Sequence, residues 1–112
     1  FCTPASVDSI PGSASREDHV SMGMTSARKL REIVHNTRSI LAVEILCAAQ
    51  AIDFRKPATP GQGTIAAYEC VRAVVPHLDK DRLLQKDIEG VLNLEQEQAI
   101  VSAVQSAIGV LE

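Results

Sequence analysis

The strongest pattern in the chain is an apolar stripe that begins at Val20 and ends at Ile52, largely in steps of three and four residues. This spacing predicts an amphipathic α-helix. Ser15 provides an N-cap, and the acids Glu17 and Asp18 fall in the first turn, where they face the positive end of the helix dipole. We expect the helix to continue to about Asp53.

The second half of this predicted helix is apolar nearly all round, from Ile40 to Ile52. Those 13 residues fall short of the ~20 that a membrane-crossing helix needs, so they indicate a buried helix. The whole helix would be about 55 Å long, against a diameter of about 26 Å for a compact domain of this size. We therefore expect neighbours for it from sequence outside this chain or from other subunits.

Shorter elements follow. Residues 56–63 carry two prolines and two glycines and predict a linker. Thr64 is the predicted cap of a second helix that ends at Pro76, and apolar positions from Leu84 to Leu92 indicate a third. A terminal amphipathic helix is predicted from Ile100 to Leu111. The predicted class is all-α, with a lead-in loop at 1–15, a long core helix at 16–55, the linker at 56–63 and a helical segment at 64–112.

The charge balance limits the kinds of binding partner, and the cysteine count bears on the cellular location. The 11 basic and 14 acidic residues are interspersed, which argues against a nucleic acid or a membrane as partner. Cys2, Cys47 and Cys70 make an odd number without zinc-site spacing, so a reducing cytoplasm is the expected location. Cys47 and Cys70 lie among apolar helical residues, where cysteine usually acts as a small buried hydrophobe. The chain opens without a signal-peptide pattern. It also lacks an initiator methionine, so we expect residues before Phe1 to have been removed or to lie in another chain.

Candidate chemistry concentrates near the predicted helix start. Taken alone, Glu17 would do no more than complement the helix dipole, by about 0.3–1 kcal/mol. His19 and Asp18 are adjacent and point in different directions on a helix, so they cannot jointly hold a metal ion and are interpreted as structural. His35 and His77 are isolated and are interpreted as solvated or structural.

The opening runs carry a specific resemblance. They read Cys2-Thr-Pro-Ala-Ser-Val-Asp-Ser-Ile-Pro and Ser13-Ala-Ser-Arg-Glu-Asp-His-Val-Ser-Met-Gly23. Both resemble segments of the aromatic amino acid ammonia-lyases, and within that family the histidine ammonia-lyases most of all. The resemblance continues through the apolar residues 40–54 to about Arg55, is faint from Val75 onward, and has no clear counterpart after Asn93.

The resemblance implies a role for Glu17 as the carboxylate on the substrate side of the active site. Phenylalanine ammonia-lyases carry an amide at this position, whereas a carboxylate can accept a hydrogen bond from an imidazole and favour its protonated form. Some tyrosine ammonia-lyases resemble the same run, so histidine and tyrosine both remain open as substrates. Arg16 departs from the small polar residue that is common in the family.

The resemblance also implies a reaction and an assembly. Such an enzyme is a mainly helical homotetramer that removes ammonia from L-histidine to give trans-urocanate. Its electrophilic cofactor, methylidene-imidazolone, forms from an internal Ala-Ser-Gly, and an upstream tyrosine is the usual base. No Ala-Ser-Gly occurs in these 112 residues. We therefore expect this chain to be a C-terminal part that is inactive alone.

Two other interpretations stay open at this point. One is a tyrosine ammonia-lyase or an aminomutase of the same family. The other is a non-catalytic helical module that drives oligomerisation through the apolar residues 40–52, since a lone helix would expose that surface.

Overall fold

The structure is a computed structural model that describes residues 2–7, 14 and 22–110. Within these residues the regular elements are helical and there is no strand. A 3-10 turn spans Ala5–Val7, and four α-helices follow: α1 Gly23–Phe54, α2 Gln62–Arg72, α3 Gln85–Gln96 and α4 Ala99–Ile108. The all-α class predicted from the sequence is confirmed.

The chain divides into two compact units, Phe1–Thr37 and Arg38–Glu112, and α1 contributes residues to both. In the described residues, α1 begins at Gly23, and the carbonyl of Met22 accepts the amide proton of Ser26 at 2.9 Å. The predicted cap at Ser15 and the predicted first turn lie outside the described residues. At its other end α1 stops at Phe54, one residue beyond the predicted Asp53.

The second helix starts earlier than its predicted cap. Gly61 is the N-cap of α2, and its carbonyl accepts the amide proton of Ile65 at 3.0 Å. Thr64 therefore lies inside the first turn and caps nothing. Glycine is an acceptable N-cap without a side-chain hydrogen bond, and the extended backbone of Gly61 (φ −64°, ψ 160°) leads from the linker directly into the helix.

A sharp turn separates α3 from α4. Gln98 has left-handed backbone angles (φ 54°, ψ 24°) and lies just before α4. The amide of Glu97 donates to the carbonyl of Asn93 at 3.0 Å, which closes the end of α3. This turn explains why the sequence shows two apolar periodicities here instead of one continuous stripe.

The core of the second unit is small and aliphatic. Its buried residues come from α1, α2, the turn after α2, and α3, in the order Ala42, Ala49, Val71, Val75 and Val91. The two alanines are separated by about two helical turns, so they lie on one face of α1 and present little bulk to the other helices. Helices α2 and α4 also pack closely against each other at Gly63. A Cβ on this residue would lie 3.1 Å from Cδ1 of Ile108.

Only part of the apolar half of α1 is covered within this chain. Ile40 is 66% exposed, while Ala42 is fully buried. Cys47 is exposed and Cys70 is partly buried, and both thiols are free. The expectation that Cys47 is buried is wrong for this chain, because its side chain is exposed at the edge of an open groove that Leu84 and Ile88 also line.

The first unit holds the described part of the lead-in against α1. The amide of Val7 donates to the carbonyl of Pro4 at 3.3 Å and closes the 3-10 turn. The ammonium group of Lys29 donates to the carbonyl of Thr3. This contact ties the beginning of the lead-in to the second turn of α1.

None of the helices formed by the described residues is both long and apolar enough to cross a membrane.

The left-handed backbone at Gln98 generates a stability prediction. A non-glycine residue in this conformation costs about 1–2 kcal/mol, which glycine avoids. We expect Gln98→Gly to raise the free energy of unfolding by about 0.5–1 kcal/mol in urea denaturation. The matched control is Gln96→Gly, because Gln96 is an exposed residue at the end of α3, and it should lower the same quantity. Equal losses in both variants would contradict the assigned turn.

Candidate functional site

The residue predicted to meet the substrate, Glu17, lies outside the described residues, as do its neighbours Arg16, Asp18 and His19. No position or contact of these four side chains is therefore described. It does describe the backbone at Ala14, on the N-terminal side of Glu17, and the chain from Met22 onward.

Ala14 has a left-handed backbone with φ 52°. For a residue with a Cβ this conformation costs about 1–2 kcal/mol. Strained backbone of this kind is found preferentially at active sites and ligand clamps, where the surrounding structure enforces it. Among the described residues, Ala14 is therefore a strained position in the lead-in.

A polar cluster in the second unit is the most developed arrangement of titratable groups that the structure describes. We call it the Asp53 cluster; it contains Gln50, Asp53, Lys56, Tyr68, Arg72 and His77. Its members come from the end of α1 and the turn directly after it, from α2, and from the turn that follows α2. The cluster thus joins three segments that are distant in sequence.

The carboxylate of Asp53 accepts hydrogen bonds at both oxygens. Oδ1 accepts from the hydroxyl of Tyr68 at 2.5 Å and from Nζ of Lys56 at 3.0 Å. Oδ2 accepts from Nη2 of Arg72 at 2.8 Å and from its Nε at 3.1 Å, and lies 2.9 Å from Nδ1 of His77. The side chain of Asp53 is only 9% exposed, so these partners replace the water that it would otherwise bind.

Gln50 extends the cluster to the turn after α2. Its Oε1 accepts from Nη2 of Arg72 at 3.2 Å and from the amide of Leu78 at 3.1 Å. Its Nε2 donates to the carbonyl of Leu78 at 3.2 Å and lies 3.3 Å from Nε2 of His77. The side-chain amide of Gln50 therefore pairs with both backbone groups of Leu78, as a neighbouring strand would.

These contacts change the acidity of two groups. The hydrogen bond from Tyr68, followed by those from His77, Lys56 and Arg72, holds the pKa of Asp53 well below its ordinary value, although burial acts in the opposite direction. Hydrogen bonds to Tyr68 and Asp53 raise the pKa of Lys56. Asp53 is thus kept ionised, and Lys56 is kept protonated.

The geometry makes the Asp53 cluster structural. Every polar atom of the Asp53 carboxylate is already hydrogen-bonded within the chain, so it has no remaining position for a substrate or a metal ion. The ring of His77 also packs edge-on against Phe54, with centroids 5.6 Å apart. The interpretation of His77 as a structural residue agrees with these contacts.

Sequence reasoning missed Asp53, Tyr68 and Arg72, although one signal was present. Asp53 lies in the last turn of α1, where the negative end of the helix dipole disfavours an acid and no basic residue lies nearby in the helix. An acid at that place indicates compensating donors from elsewhere in the fold. Arg72, in the last turn of α2, is one of them.

Comparison with known proteins shows a consistent relationship. The profile of a family described as "Aromatic amino acid lyase" matches residues 1–73. A histidine ammonia-lyase from Myxococcus xanthus is 62% identical over 104 residues, which cover 93% of this chain and 20% of that protein. A histidine ammonia-lyase from Natranaerobius thermophilus is 55% identical over 109 residues, covering 97% of this chain and 22% of that protein.

Solved structures give the same relationship. The crystal structure of histidine ammonia-lyase from Trypanosoma cruzi matches with a TM-score of 0.85 and 40% identity, over 96% of this chain and 21% of that one. Tyrosine aminomutase from Streptomyces globisporus matches with a TM-score of 0.85 and 38% identity, over the same shares. The chain thus spans about a fifth of the length of the relatives it matches.

The lowered pKa of Asp53 predicts acid sensitivity with a defined sign. Because the folded-state pKa lies below the unfolded value of about 3.9, ionised Asp53 stabilises the fold above that pH. This contribution disappears as the pH falls from about 5 towards the folded-state pKa. We expect Asp53→Asn to cost about 1–3 kcal/mol near neutral pH and to flatten the acid limb of the stability profile.

Urea denaturation measured across this pH range gives that profile. Asp81→Asn is the matched control, since Asp81 is exposed, and it should leave the acid limb unchanged. If the free energy of unfolding falls as steeply at low pH in Asp53→Asn as in the parent chain, Asp53 is not the cause of the acid sensitivity.

The contribution of Tyr68 can be separated from the rest of the cluster. Its hydroxyl is the strongest influence that lowers the pKa of Asp53, so Tyr68→Phe should raise that pKa while the other donors remain. The loss of one hydrogen bond to a charged group should lower the free energy of unfolding by about 1.5–3 kcal/mol. The carboxyl carbon resonance of Asp53, followed by NMR during an acid titration, measures the pKa directly. An unchanged titration curve would contradict the assigned hydrogen bond.

Proposed function

Because this chain belongs to the aromatic amino acid lyase family, we propose that it is the C-terminal part of a histidine ammonia-lyase. The complete enzyme would eliminate ammonia from L-histidine to give trans-urocanate. The observation that carries this proposal is the 62% identity, over 93% of the chain, to a protein named histidine ammonia-lyase. The matched family region also contains the run Glu17-Asp-His-Val-Ser-Met-Gly23.

Within this proposal Glu17 binds and orients the substrate. A carboxylate accepts a hydrogen bond from an imidazole N–H and favours the protonated ring, whereas an amide carries no charge. A fixed negative charge beside the bound ring also holds the substrate in one orientation relative to the reacting atoms. In the described part of the lead-in, Ala14 has a left-handed backbone and the ammonium group of Lys29 donates a hydrogen bond to the carbonyl of Thr3.

The electrophile would come from another part of the enzyme. In this family the methylidene-imidazolone group supplies an electrophilic centre, and an Ala-Ser-Gly tripeptide is its source; the tripeptide does not occur in this chain. The Asp53 cluster does not fit such a group, because its carboxylate and amide atoms are paired inside the fold. The role proposed for this chain is therefore limited to substrate binding and to the support of the site.

We further propose that the complete enzyme is a homotetramer in the cytoplasm. Ile40, Leu41 and Val43 are 66%, 46% and 43% exposed, which puts three large apolar side chains on the surface within about one turn of α1. Packing of such helices from several subunits would cover it. The same surface supports the alternative of a non-catalytic oligomerisation module.

A second catalytic candidate is a tyrosine-specific enzyme. It is favoured by the structural match to tyrosine aminomutase from Streptomyces globisporus, which has the same TM-score as the histidine ammonia-lyase from Trypanosoma cruzi. Identity favours histidine, since the 62% and 55% identical relatives are both histidine ammonia-lyases.

The test uses a hybrid lyase in which this chain replaces the matching region of the Myxococcus xanthus enzyme. The hybrid should convert L-histidine to urocanate, followed by ultraviolet absorbance. Glu17→Gln should lower kcat by about 100-fold, since one preorganised electrostatic contact to the reacting molecule is lost, while the assembly measured by light scattering stays the same.

Glu32→Gln is the control, because Glu32 is an exposed acid on α1, and it should retain full turnover. Turnover of L-tyrosine in place of L-histidine would establish the tyrosine-specific candidate. A hybrid that assembles but acts on neither amino acid would leave the oligomerisation module. Loss of assembly in Glu17→Gln would make Glu17 a structural residue.

A further inference from the structure

The side-chain amide of Gln50 has only one orientation that satisfies its neighbours. Its Oε1 accepts from Nη2 of Arg72 at 3.2 Å and from the backbone amide of Leu78 at 3.1 Å, while its Nε2 donates to the carbonyl of Leu78 at 3.2 Å. Exchanging the two amide atoms would set Nε2 against two donors and Oε1 against a carbonyl oxygen. These three contacts therefore fix the amide.

The fixed amide decides which nitrogen of the His77 ring carries the proton. Nε2 of Gln50 has two hydrogens, and the one that Leu78 does not use is available to Nε2 of His77, 3.3 Å away. That ring nitrogen must therefore be an acceptor. In the neutral ring the proton then lies on Nδ1, which donates to Oδ2 of Asp53 at 2.9 Å.

A second proton on the ring would make the contact with Gln50 repulsive. Both nitrogens of an imidazolium are donors, so N–H groups of His77 and Gln50 would face each other. The amide cannot turn away without losing its bonds to Arg72 and Leu78. Donors left unpaired in a partly buried site are costly, so one of these contacts has to open.

On the side of α1 and α2, the charges around the ring are already balanced. Asp53 attracts a protonated His77, but its carboxylate also binds Arg72 at 2.8 Å and Lys56 at 3.0 Å. A protonated ring would be the third cation on one anion. Repulsion from the guanidinium and the ammonium group therefore opposes the attraction to Asp53.

On the side of the turn itself, one carboxylate can take the second proton. Oδ1 of Asp79 lies 3.7 Å from Nε2 of His77, and its side chain is 84% exposed. The backbone carbonyl of His77 meanwhile accepts from Nη1 of Arg82 at 3.0 Å, which adds a positive charge beside the ring. Asp79 is thus the acceptor towards which a protonated Nε2 would turn, away from Gln50.

We propose that His77 is a proton-sensitive latch on the turn after α2. In the neutral ring Nε2 accepts from Gln50 and keeps the pairing of Gln50 with Leu78 closed, whereas a proton on Nε2 turns this nitrogen towards Asp79 and opens that pairing. Histidine is the side chain that gains its charge between about pH 8 and pH 5. Asp53 stays ionised over that range, so the latch acts before the acid sensitivity of Asp53 begins.

Amide hydrogen exchange at Leu78 measures the latch in the 112-residue chain. The protection factor compares the measured rate with the rate of an unfolded chain at the same pH, which removes the direct effect of pH on exchange. We expect this factor to fall about tenfold between about pH 8 and about pH 5.5, because acid supplies the proton that opens the turn. A factor that stays constant or rises would overturn the proposal.

Two variants separate the ring from the rest of the turn. His77→Asn keeps an N–H donor towards Asp53 but cannot titrate, so its protection factor should be the same at both pH values. Gln50→Glu offers the protonated ring a carboxylate, so protection should rise as the pH falls. His35→Asn is the matched control, since His35 is an exposed histidine on α1, and it should keep the loss seen in the parent chain.

The variants can also contradict the latch. PH dependence that persists in His77→Asn, that falls in Gln50→Glu as in the parent chain, or that disappears in His35→Asn would overturn the proposal.

Nitrogen-15 NMR of the unsubstituted chain tests the tautomer directly. The two nitrogens of a neutral imidazole have different chemical shifts according to which one bears the proton. At about pH 8 we expect the Nδ1–H form of His77 to predominate. A predominant Nε2–H form would overturn the proposal, because that nitrogen could not accept from Gln50. None of these measurements involves turnover, so their outcome is independent of the proposed function.

Discussion

The second unit depends on the hydrogen bonds and ion pairs that the ionised carboxylate of Asp53 makes. It lies at the end of α1, against the negative end of the helix dipole, and is stable there because donors from α2 and from the following turn surround it. The apolar core beside it consists of alanines and valines and is small. A core of that kind leaves the angle between helices loosely specified, whereas directional bonds to one carboxylate fix it.

The sequence predicted the elements of this fold better than their junctions. Pro76 marked the end of the second helix, and the apolar positions from Leu84 to Leu92 indicated α3, because burial of one face repeats with the helical period. Residue preferences for the N-cap misplaced the start of α2. Thr64 is the better capping residue by type, but the linker leads into the helix at Gly61, which is the N-cap. Caps depend on the direction from which the chain arrives, and that direction is set by tertiary packing.

The polar contacts were beyond a pattern-based prediction for a different reason. Asp53 and His77 are 24 residues apart in sequence yet in contact, and no periodicity in the sequence records that pairing. For Cys47, apolar neighbours in the sequence predicted burial, but its side of α1 stays open in this chain. The role of Glu17 comes from a family resemblance and from no local pattern; it stays a prediction, since Glu17 lies outside the described residues.

The turn after α2 contains a feature with an evolutionary consequence. The carbonyl of Pro76 accepts from Nη2 of Arg82 at 2.9 Å and from Nη1 of Arg72 at 3.4 Å, while each guanidinium also grips a carboxylate. A lysine has no planar fork with which to serve a carbonyl and a carboxylate together. An Arg→Lys substitution is ordinarily tolerated on a protein surface, but it should be selected against at Arg72 and Arg82. It would preserve the charge and still remove hydrogen bonds that hold the turn after α2.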